Sequence, residues 1–425
     1  MSALRKGLVS LPLILVVALG ARIGFAWNEG RQLPPEVRAT VPFFQETGNI
    51  ARAVALGNGF SDLFRQGTGP TAWLTPVYPL LLAGIFRIFG IFTAASFTVA
   101  VALNIVFSAA ACWPIFHAGR RIGGTGVGAT AAWLWAIYPN AVITPFEWIW
   151  DTCLATFLAS LVVWFTLKLA ESQRPRDWCL YGLLWGGTLM TDPALALVLP
   201  FLLGWAAYYA SPVLRRRLAL AGLAVLTTAL CCTPWTVRNY AAFHRFVPLR
   251  SNFPFALWLG HNPVWDPRSP WHTRVSAYEQ DERYKRLGET AFMQEKWNSA
   301  IDFIETHPAL ELRLFASRSV SFWLGIDSPV KGFIETRSLL DRTLLVANFV
   351  ATVGMLAGLV AIWMRLRRYA FFLSVFPLVF PWIYYATQPY VRYRQPIDPV
   401  LMLLTAIALR SPWRVRSQDS ALLWS

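Results

Sequence analysis

The chain is 425 residues long, 56% of them hydrophobic and 14% charged, with a formal net charge of +15. This apolar content excludes an intrinsically disordered chain and exceeds what an aqueous domain of this size needs for its core. The basic residues lie in short groups at the ends of apolar runs, without the single stripe and reader motif of a nucleic-acid-binding protein, so nucleic acid is excluded as a partner.

We predict ten membrane-spanning helices, some of them marginal, because a span needs about 20 mostly apolar residues. They lie near residues 7–27, 93–118, 124–141, 150–169, 177–192, 194–210, 216–236, 342–364, 369–387 and 396–410. The first run has the features of a cleaved signal peptide, but it stays apolar as far as Trp27, which favours a span. The predicted fold class is an all-α polytopic membrane protein of about ten transmembrane helices, with outer-face juxtamembrane helices in the first and in a late extracytoplasmic loop.

Lys and Arg residues gather on alternate loops between these runs. The groups are Arg5/Lys6, Arg120/Arg121, Lys168/Arg174/Arg176, Arg215/Arg216/Arg217, Arg365/Arg367/Arg368 and Arg410/Arg414/Arg416. An even number of predicted spans separates consecutive groups, so the positive-inside rule places all the groups and both termini on the cytoplasmic side. The other loops then face outward.

Two outward segments are longer than simple connections and are predicted to form an outer layer, where function most often resides. We divide the chain into a membrane module at 1–236 that includes the first outer loop 28–76, an extracytoplasmic loop with helices at 237–341, and a C-terminal membrane module with a short cytoplasmic tail at 342–425. Proline near the start and glycine after the end mark short helices in these segments. Outer helices are predicted at residues 42–56, 78–89, 278–306 and 308–323.

Glu46 lies in the first of these outer helices, with no cation one helical turn before or after it. A carboxylate outside a tight ion pair is available for acid–base work, so Glu46 is the candidate catalytic residue. Glu29, Glu36 and Asp62 are competing carboxylates of the same loop. The alternative for Glu46 is a simple solvated residue on a polar helix face.

Arg392 and Arg394 lie at the outward entrance to the last predicted span, in a segment that contains Pro389 and Pro396. Prolines favour an extended path, and residues two apart on an extended chain point the same way. The two guanidinium groups are therefore predicted to act together on phosphate oxygens, with Tyr393 between them as a secondary site candidate. The alternative is that both arginines only meet lipid headgroups.

Further polar residues gather at the same outer boundary. Arg238 and Asn239 follow an apolar run that ends on the outward side, and Arg238 is predicted to add a third cation for a lipid phosphate. Asp151, with Glu147 one turn earlier, precedes another span, where a carboxylate must be paired or face a cavity. Asp151 is thus either an ion-pair partner for the arginines or a residue of an acceptor site.

With these residues in place, the chain resembles the glycosyltransferase C superfamily, most closely the bacterial branch related to protein mannosyltransferases and the aminoarabinose transferases of lipid A. The matching stretches are ETGNIARA at 46–53 with GNGF at 57–60, PTAWLTPVYP at 70–79, PWTVRN at 234–239 and RYRQPIDP at 392–399. The resemblance implies that a carboxylate of the first outer loop is the base, which carries over to Glu46. The family usually has Asp there, often followed by another acid, whereas this chain has Glu followed by Thr47.

The resemblance further implies that a hexosyl or pentosyl group moves from a polyprenyl-phosphate carrier to a hydroxyl or amine of a lipid, glycan or protein acceptor, with inversion at the anomeric carbon. The site would face outward from a bacterial cytoplasmic membrane. The alternatives are a polytopic transporter or flippase of a lipid-linked sugar, and a non-catalytic assembly scaffold.

No cofactor is required by this chemistry. A divalent metal is not supported by any acidic cluster in the sequence, although Asp62 or Asp151 could join Glu46 to hold one. The five cysteines lie in or beside predicted spans without metal-ligand spacing, so neither a disulfide framework nor a zinc site is expected.

Overall fold

The computed structural model describes residues 9–32, 43, 46–64, 67–262, 265–266, 269–273, 277–325 and 339–410. In chain order the helices are α1 (Leu11–Gln32), α2 (Glu46–Ala55), α3 (Val77–Phe89), α4 (Ala94–Ala110), α5 (Cys112–Gly123), α6 (Thr125–Ile137), α7 (Pro139–Glu147), α8 (Thr152–Leu169), α9 (Pro175–Leu189), α10 (Leu199–Ala210), α11 (Leu214–Phe243), α12 (Phe253–Gly260), α13 (Ala277–Leu287), α14 (Glu289–Thr306), α15 (Pro308–Leu324), α16 (Leu339–Arg365), α17 (Arg367–Val379), α18 (Trp382–Ala386), α19 (Val391–Arg394) and α20 (Asp398–Arg410). Short 3-10 turns lie at Pro193–Leu197 and Gln395–Ile397. The strands β1 (Trp265–Asp266) and β2 (Ser269–Thr273) pair antiparallel.

Six helical segments of the described chain are long and apolar enough to cross a membrane. They are Leu11–Gln32, Ala94–Gly123, Thr152–Leu169, Leu214–Phe243, Leu339–Arg365 and Arg367–Ala386. The protein is a multi-pass membrane protein, and the predicted all-α polytopic class is confirmed, with the small ribbon of β1 and β2 as an addition.

The predicted number of ten spans is not confirmed. The runs near 124–141, 177–192, 194–210 and 396–410 form α6, α9, α10 and α20, which have 12 to 15 residues each. At a rise of 1.5 Å per residue, such helices extend only about 18 to 22 Å, less than the roughly 30 Å hydrocarbon core.

The predicted outer helices are present with changed limits. The described part of α2 starts at Glu46 instead of residue 42, and Gly57 follows its end with a left-handed φ of +86°. The single helix predicted over 278–306 is broken, because Gly288, with φ of +73°, separates α13 from α14. A left-handed residue ends a helix by turning the chain away from its axis.

The path predicted for residues 388–399 is wrong. Only its start is extended, at Tyr390 (φ −63°, ψ 140°), and the chain then turns into α19, a 3-10 turn and α20. Pro396 is tolerated because it lies in the first turn of the 3-10 helix, where its missing N–H costs no bond. The helical path brings Arg394 within 2.7 Å of Asp398, four residues later, and this buried ion pair outweighs the weak preference for extension before proline.

Helices α16 and α20 approach each other closely at two glycines. A Cβ added at Gly358 would lie against the carbonyl oxygen of Leu404, and one at Gly354 against the side chain of Thr405. Small residues allow such approach inside a membrane, where lipid tails are as apolar as the helix surfaces. This contact positions α20 and the segment 391–397 that leads into it.

We expect Gly358→Ala to lower the thermal unfolding temperature of the purified protein in detergent, because overpacking against a backbone oxygen costs roughly 1–3 kcal/mol. Gly222→Ala in α11 is the matched control, since nothing lies within 4 Å of a Cβ at that position. The control should unfold at the same or a higher temperature, because Ala is the better helix former by about 0.5–1 kcal/mol. An unchanged temperature for Gly358→Ala would contradict the close helix contact.

Candidate active site

Arg392 lies where several elements meet at one end of the spanning helices. Its guanidinium carbon Cζ is 4.3 Å from the ring centroid of Trp148 and 4.8 Å from that of Trp150. Both tryptophans belong to the link between α7 and α8, which is extended at Trp148 (φ −126°, ψ 102°). Aromatic faces attract a cation without using its N–H groups, and Nη1 of Arg392 has no hydrogen-bond partner within the described structure.

A cavity opens on one side of Arg392, and we call it the Arg250 cavity. Its charged lining residues are Asp151, Asp192, Arg250 and Arg392. Its empty volume, including the open mouth, is about 740 Å³. Two cations and two carboxyl groups therefore share one partly enclosed space.

Asp151 immediately precedes α8 at this cavity. Burial first, and then the charge of Asp192, raise the pKa of the Asp151 carboxyl to about 7, while Arg250 and Arg392 oppose the rise. A carboxyl with a pKa near neutrality both accepts and releases a proton readily. Asp151 thus lies near Arg250 and Arg392 and also lines a cavity. Its position is compatible with both predicted roles, an ion-pair partner and a residue of an acceptor site.

Glu46 is partly buried at the start of α2. Burial raises the pKa of its carboxyl, and the charge of Arg392 is among the effects that lower it in part. The sequence offered no cation one turn away, and the fold supplies Arg392 from the other end of the chain. Glu46 is not among the residues that line the Arg250 cavity, so its role as the base stays a prediction.

Arg394 points away from Arg392, because residues two apart on a helix face different sides. Its side chain is fully buried. The guanidinium donates to Oδ1 of Asp398 at 2.7 Å, to the hydroxyl of Tyr138 at 2.6 Å and to Oδ1 of Asn348 at 2.6 Å. The predicted joint presentation of Arg392 and Arg394 is therefore wrong, and Arg394 organises the interior.

Arg238 attaches the first outer loop to the end of α11. Its guanidinium donates to the Thr71 carbonyl at 2.7 Å and to the carbonyl of Phe60, and it also reaches Oδ1 of Asn239 at 3.1 Å. Asn239 is fully buried and donates to the Val247 carbonyl at 3.0 Å. Of the three predicted phosphate-binding arginines, only Arg392 lines the Arg250 cavity.

Glu289, the first residue of α14, holds the same loop from the outer layer. Its buried carboxylate accepts hydrogen bonds from the Ala72 N–H at 2.8 Å, the Ser251 hydroxyl at 2.7 Å, the Tyr284 hydroxyl at 2.6 Å and the Thr71 hydroxyl. Four donors match the four acceptor positions of an ionised carboxylate. Because Ser251 follows Arg250 in the chain, these bonds also fix the position of Arg250 at the cavity.

Two of the secondary site candidates, Tyr393 and Glu147, line cavities that Arg392 also lines. Tyr393 lines the Arg250 cavity, and its ring stacks on Tyr384 with the centroids 5.0 Å apart. Glu147 ends α7 and lines a different cavity, on the Trp148 side of Arg392.

The other carboxylates of the first loop are not brought to the cavity. Asp62 accepts the Gly67 N–H at 3.0 Å in a turn, with a left-handed φ of +58°. Glu29 bonds the side chain of Asn28 at 3.1 Å, and Glu36 lies outside the described residues. Among the described residues, no three His, Cys, Asp or Glu side chains are grouped as metal ligands.

Sequence reasoning missed Arg250 and Asp192 as site residues, and it missed the two tryptophans that hold Arg392. Arg250 carried a usable signal, because it lies on a predicted outward loop against the positive-inside preference, as Arg392 does. Asp192 lies where two predicted spans meet, and its Oδ1 accepts the Ala194 N–H at 3.1 Å. Its position in the cavity depends on tertiary contacts that no local pattern records.

Residues 73–237 match the family model described as dolichyl-phosphate-mannose-protein mannosyltransferase. The match covers less than half of the chain and confirms the predicted resemblance over that part. No curated protein matches the chain by sequence.

Solved structures show the same fold. The apo oligosaccharyltransferase of Archaeoglobus fulgidus is similar over 94% of this chain and 49% of that chain, with 15% identity and a TM-score of 0.54. AglB from Archaeoglobus fulgidus, in complex with an inhibitory peptide and a dolichol-phosphate, is similar over 96% of this chain and 50% of that chain, with 15% identity and a TM-score of 0.51. This chain therefore spans about half the length of the archaeal enzymes, and at this identity the likeness shows the fold.

We expect Glu289→Gln to destabilise the outer layer, because an amide NH₂ would face groups that themselves donate. Leaving buried donors unsatisfied costs about 1–3 kcal/mol each. Thermal unfolding and limited proteolysis of the first outer loop would measure the effect. Glu305→Gln, an exposed position on the same helix, should leave the unfolding temperature and the proteolysis unchanged. If Glu289→Gln behaves in the same way, Glu289 does not stabilise the outer layer.

Proposed function

We propose that this chain, whose residues 73–237 carry a domain of the dolichyl-phosphate-mannose-protein mannosyltransferase family, is a glycosyltransferase with a polyprenyl-phosphate sugar as donor. The acceptor nucleophile attacks the anomeric carbon, the bond from that carbon to the phosphate oxygen breaks, and the carrier phosphate leaves with the electron pair. The observation that carries the proposal is the Arg392 guanidinium, held by two indole rings at the wall of a cavity that also contains Arg250.

Arg392 and Arg250 are proposed to bind the carrier phosphate. The phosphate gains negative charge as the glycosidic bond breaks, so cations fixed beforehand stabilise the transition state more than the ground state. Nη1 of Arg392 is not engaged by the described protein, and a planar guanidinium suits two phosphate oxygens at once. The dolichol-phosphate bound by AglB is a ligand of the same chemical class.

Glu46 is proposed as the base that takes the proton from the acceptor hydroxyl or amine. Its raised pKa favours proton uptake, and Arg392 links it electrostatically to the leaving phosphate. Asp151 is the competing candidate, because it lines the cavity and has a pKa of about 7. Nothing in this scheme requires a metal ion to generate the nucleophile.

The site is proposed to face outward from a bacterial cytoplasmic membrane, with both termini in the cytoplasm. In three spanning helices the basic residues lie at the end opposite to the site. Lys168 ends α8 while Asp151 precedes it, Arg215 begins α11 while Arg238 lies near its end, and Arg365 ends α16. The positive-inside rule then places the basic ends in the cytoplasm.

The first test is the identity and retention of the bound lipid. We expect mass spectrometry of lipids that copurify with the wild-type protein to find a polyprenyl phosphate or its sugar-linked form, and Arg392→Ala to lose it. Transfer from that donor should fall roughly 100-fold or more in Arg392→Ala, in the range seen when one transition-state donor is removed, and Arg392→Lys should recover part of it. Arg313→Ala, an exposed position on α15, is the control, and wild-type transfer by Arg392→Ala would refute the proposal.

The same assay separates the two candidate bases. Glu46→Gln should reduce transfer roughly 100-fold or more, as removal of a general base does, while the carrier lipid is still retained. If Asp151→Asn abolishes transfer and Glu46→Gln does not, Asp151 is the base. Loss of the lipid in Glu46→Gln would instead give Glu46 a part in organising the site.

Membrane orientation is testable by labelling in a variant without the five native cysteines. Asp302→Cys, on the exposed face of α14, should react with a membrane-impermeant thiol reagent added to intact cells. Arg174→Cys, in the loop between α8 and α9, should react only after the membrane is permeabilised. The opposite pattern would place the site in the cytoplasm.

A further inference from the structure

A second cavity lies on the other side of Arg392, and we call it the Gln395 cavity. Its polar lining comes from Asn140, Glu147, Asp341, Asn348, Arg392 and Gln395, with Trp148 beside them. Arg392 therefore lines both cavities, with Trp150 on the Arg250 side and Trp148 on the Gln395 side.

Gln395 is the most informative residue of this cavity. Its side chain is only 1% exposed, and neither Oε1 nor Nε2 has a hydrogen-bond partner in the described structure. A buried amide without partners is costly, and native proteins satisfy nearly all such groups. A glutamine in this position is explained if a ligand with both donor and acceptor groups enters the cavity.

The charge of the Gln395 cavity differs from that of the Arg250 cavity. Among the described lining residues, Glu147 and Asp341 contribute carboxylates and Arg392 is the one cation. Carboxylates repel a phosphate, so the Arg250 cavity is the better place for the anionic group. An ammonium group is a poorer match for Gln395, because it only donates and would leave Nε2 without an acceptor.

Hydroxyl groups match both the carboxylates and the Gln395 amide of this lining. Each hydroxyl donates to a carboxylate or to Oε1 and accepts from Nε2, and the indole of Trp148 adds an apolar surface beside these groups. Several hydroxyls on one compact ring are the chemistry of a sugar. The empty volume of the cavity, with its open mouth included, is about 660 Å³.

We propose that the Gln395 cavity binds a sugar ring, while the carrier phosphate lies on the Arg250 side of Arg392. The proposal rests on the proposed glycosyltransferase function and assigns the place of its carbohydrate. Gln395 contacts the ring hydroxyls, and Glu147 accepts from them at the mouth. The ring belongs to the donor or to a glycan acceptor, and the two sources share this chemistry.

The test is direct binding to the purified full-length protein in lipid nanodiscs. The probes are undecaprenyl phosphate, undecaprenyl phosphate linked to glucose or to mannose, and a panel of methyl glycosides that includes hexoses, an N-acetylhexosamine and a pentose. The variants are Gln395→Leu and Glu147→Gln, with Gln294→Leu on the exposed face of α14 as the matched control. Dissociation constants are measured by calorimetry, and unfolding temperatures are recorded for every variant.

If the cavity holds the donor sugar, Gln395→Leu should weaken binding of the sugar-linked lipid by roughly tenfold, the effect of one or two hydrogen bonds, and leave bare undecaprenyl phosphate unaffected. If it holds an acceptor sugar, the same loss should appear with a methyl glycoside while the sugar-linked lipid is unaffected. Gln395→Leu should unfold at the wild-type temperature or above it, because an unpartnered amide has been removed. Glu147→Gln, at an exposed position, should show a smaller loss for the same probe, and it carries the test alone if Gln395→Leu does not fold.

Unchanged affinities for all sugar probes in both variants would overturn the proposal, as would wild-type protein that binds no glycoside and does not distinguish sugar-linked from bare lipid. A lower unfolding temperature of Gln395→Leu with unchanged affinities would make Gln395 structural. If wild-type protein binds neither lipid but binds a glycoside that Gln395→Leu loses, the lipid-donor function fails and the sugar site stands.

Discussion

The buried ion pair between Arg394 and Asp398 determines the path of the chain at the site. Both side chains are fully buried, and their separation of four residues requires a helical turn between α19 and α20. Moving two charges out of water costs several kcal/mol per ion unless further hydrogen bonds satisfy them. Tyr138, Asn348 and the Trp323 carbonyl supply these bonds to Arg394, and they tie α19 to the end of α6, to α16 and to α15. Because the turn is helical, Arg392 faces the cavities while Arg394 faces the interior.

Arg22, Arg238 and Arg392 differ in what their guanidinium groups mainly contact. Arg22 inside α1 bonds Ser108 and the carbonyls of Ala18 and Ala136. Arg238 likewise uses its N–H groups on carbonyls of the first outer loop. Such arginines fasten helices and loops together, since an intramembrane or interfacial cation must be satisfied by nearby acceptors. Arg392 differs, because its main partners are aromatic faces.

The sequence predicted the polytopic class and the outer helices, because hydropathy and the positions of proline and glycine are local signals. It also made Arg392 a site candidate, because an outward cation is a local signal too. It failed on the separation of Arg392 from Arg394, because it followed the proline preference and not the spacing of four residues between Arg394 and Asp398. The partners that support this pair, Tyr138, Asn348 and the Trp323 carbonyl, come from distant parts of the chain. The number of spans is not confirmed, because α6, α9, α10 and α20 have only 12 to 15 residues each. Glu289 and Arg250 lie far in the sequence from the first outer loop. Only the fold brings Glu289 to Thr71.

The way Arg392 is held also explains why it, and not Arg394, is suited to a phosphate. A phosphate that approached Arg394 would have to displace the carboxylate of Asp398, whose charge-assisted bonds are about twice as strong as neutral ones. At Arg392 the competing contacts are cation–π interactions of roughly 0.5–2 kcal/mol, which a phosphate supplements without displacing, because the rings occupy the guanidinium faces and the oxygens approach its edge. The two indoles thus fix the cation in advance and leave Nη1 for a ligand, while Nη2 donates to the Tyr393 hydroxyl at 3.4 Å. That combination of a fixed position and open donors is what stabilisation of a developing charge requires.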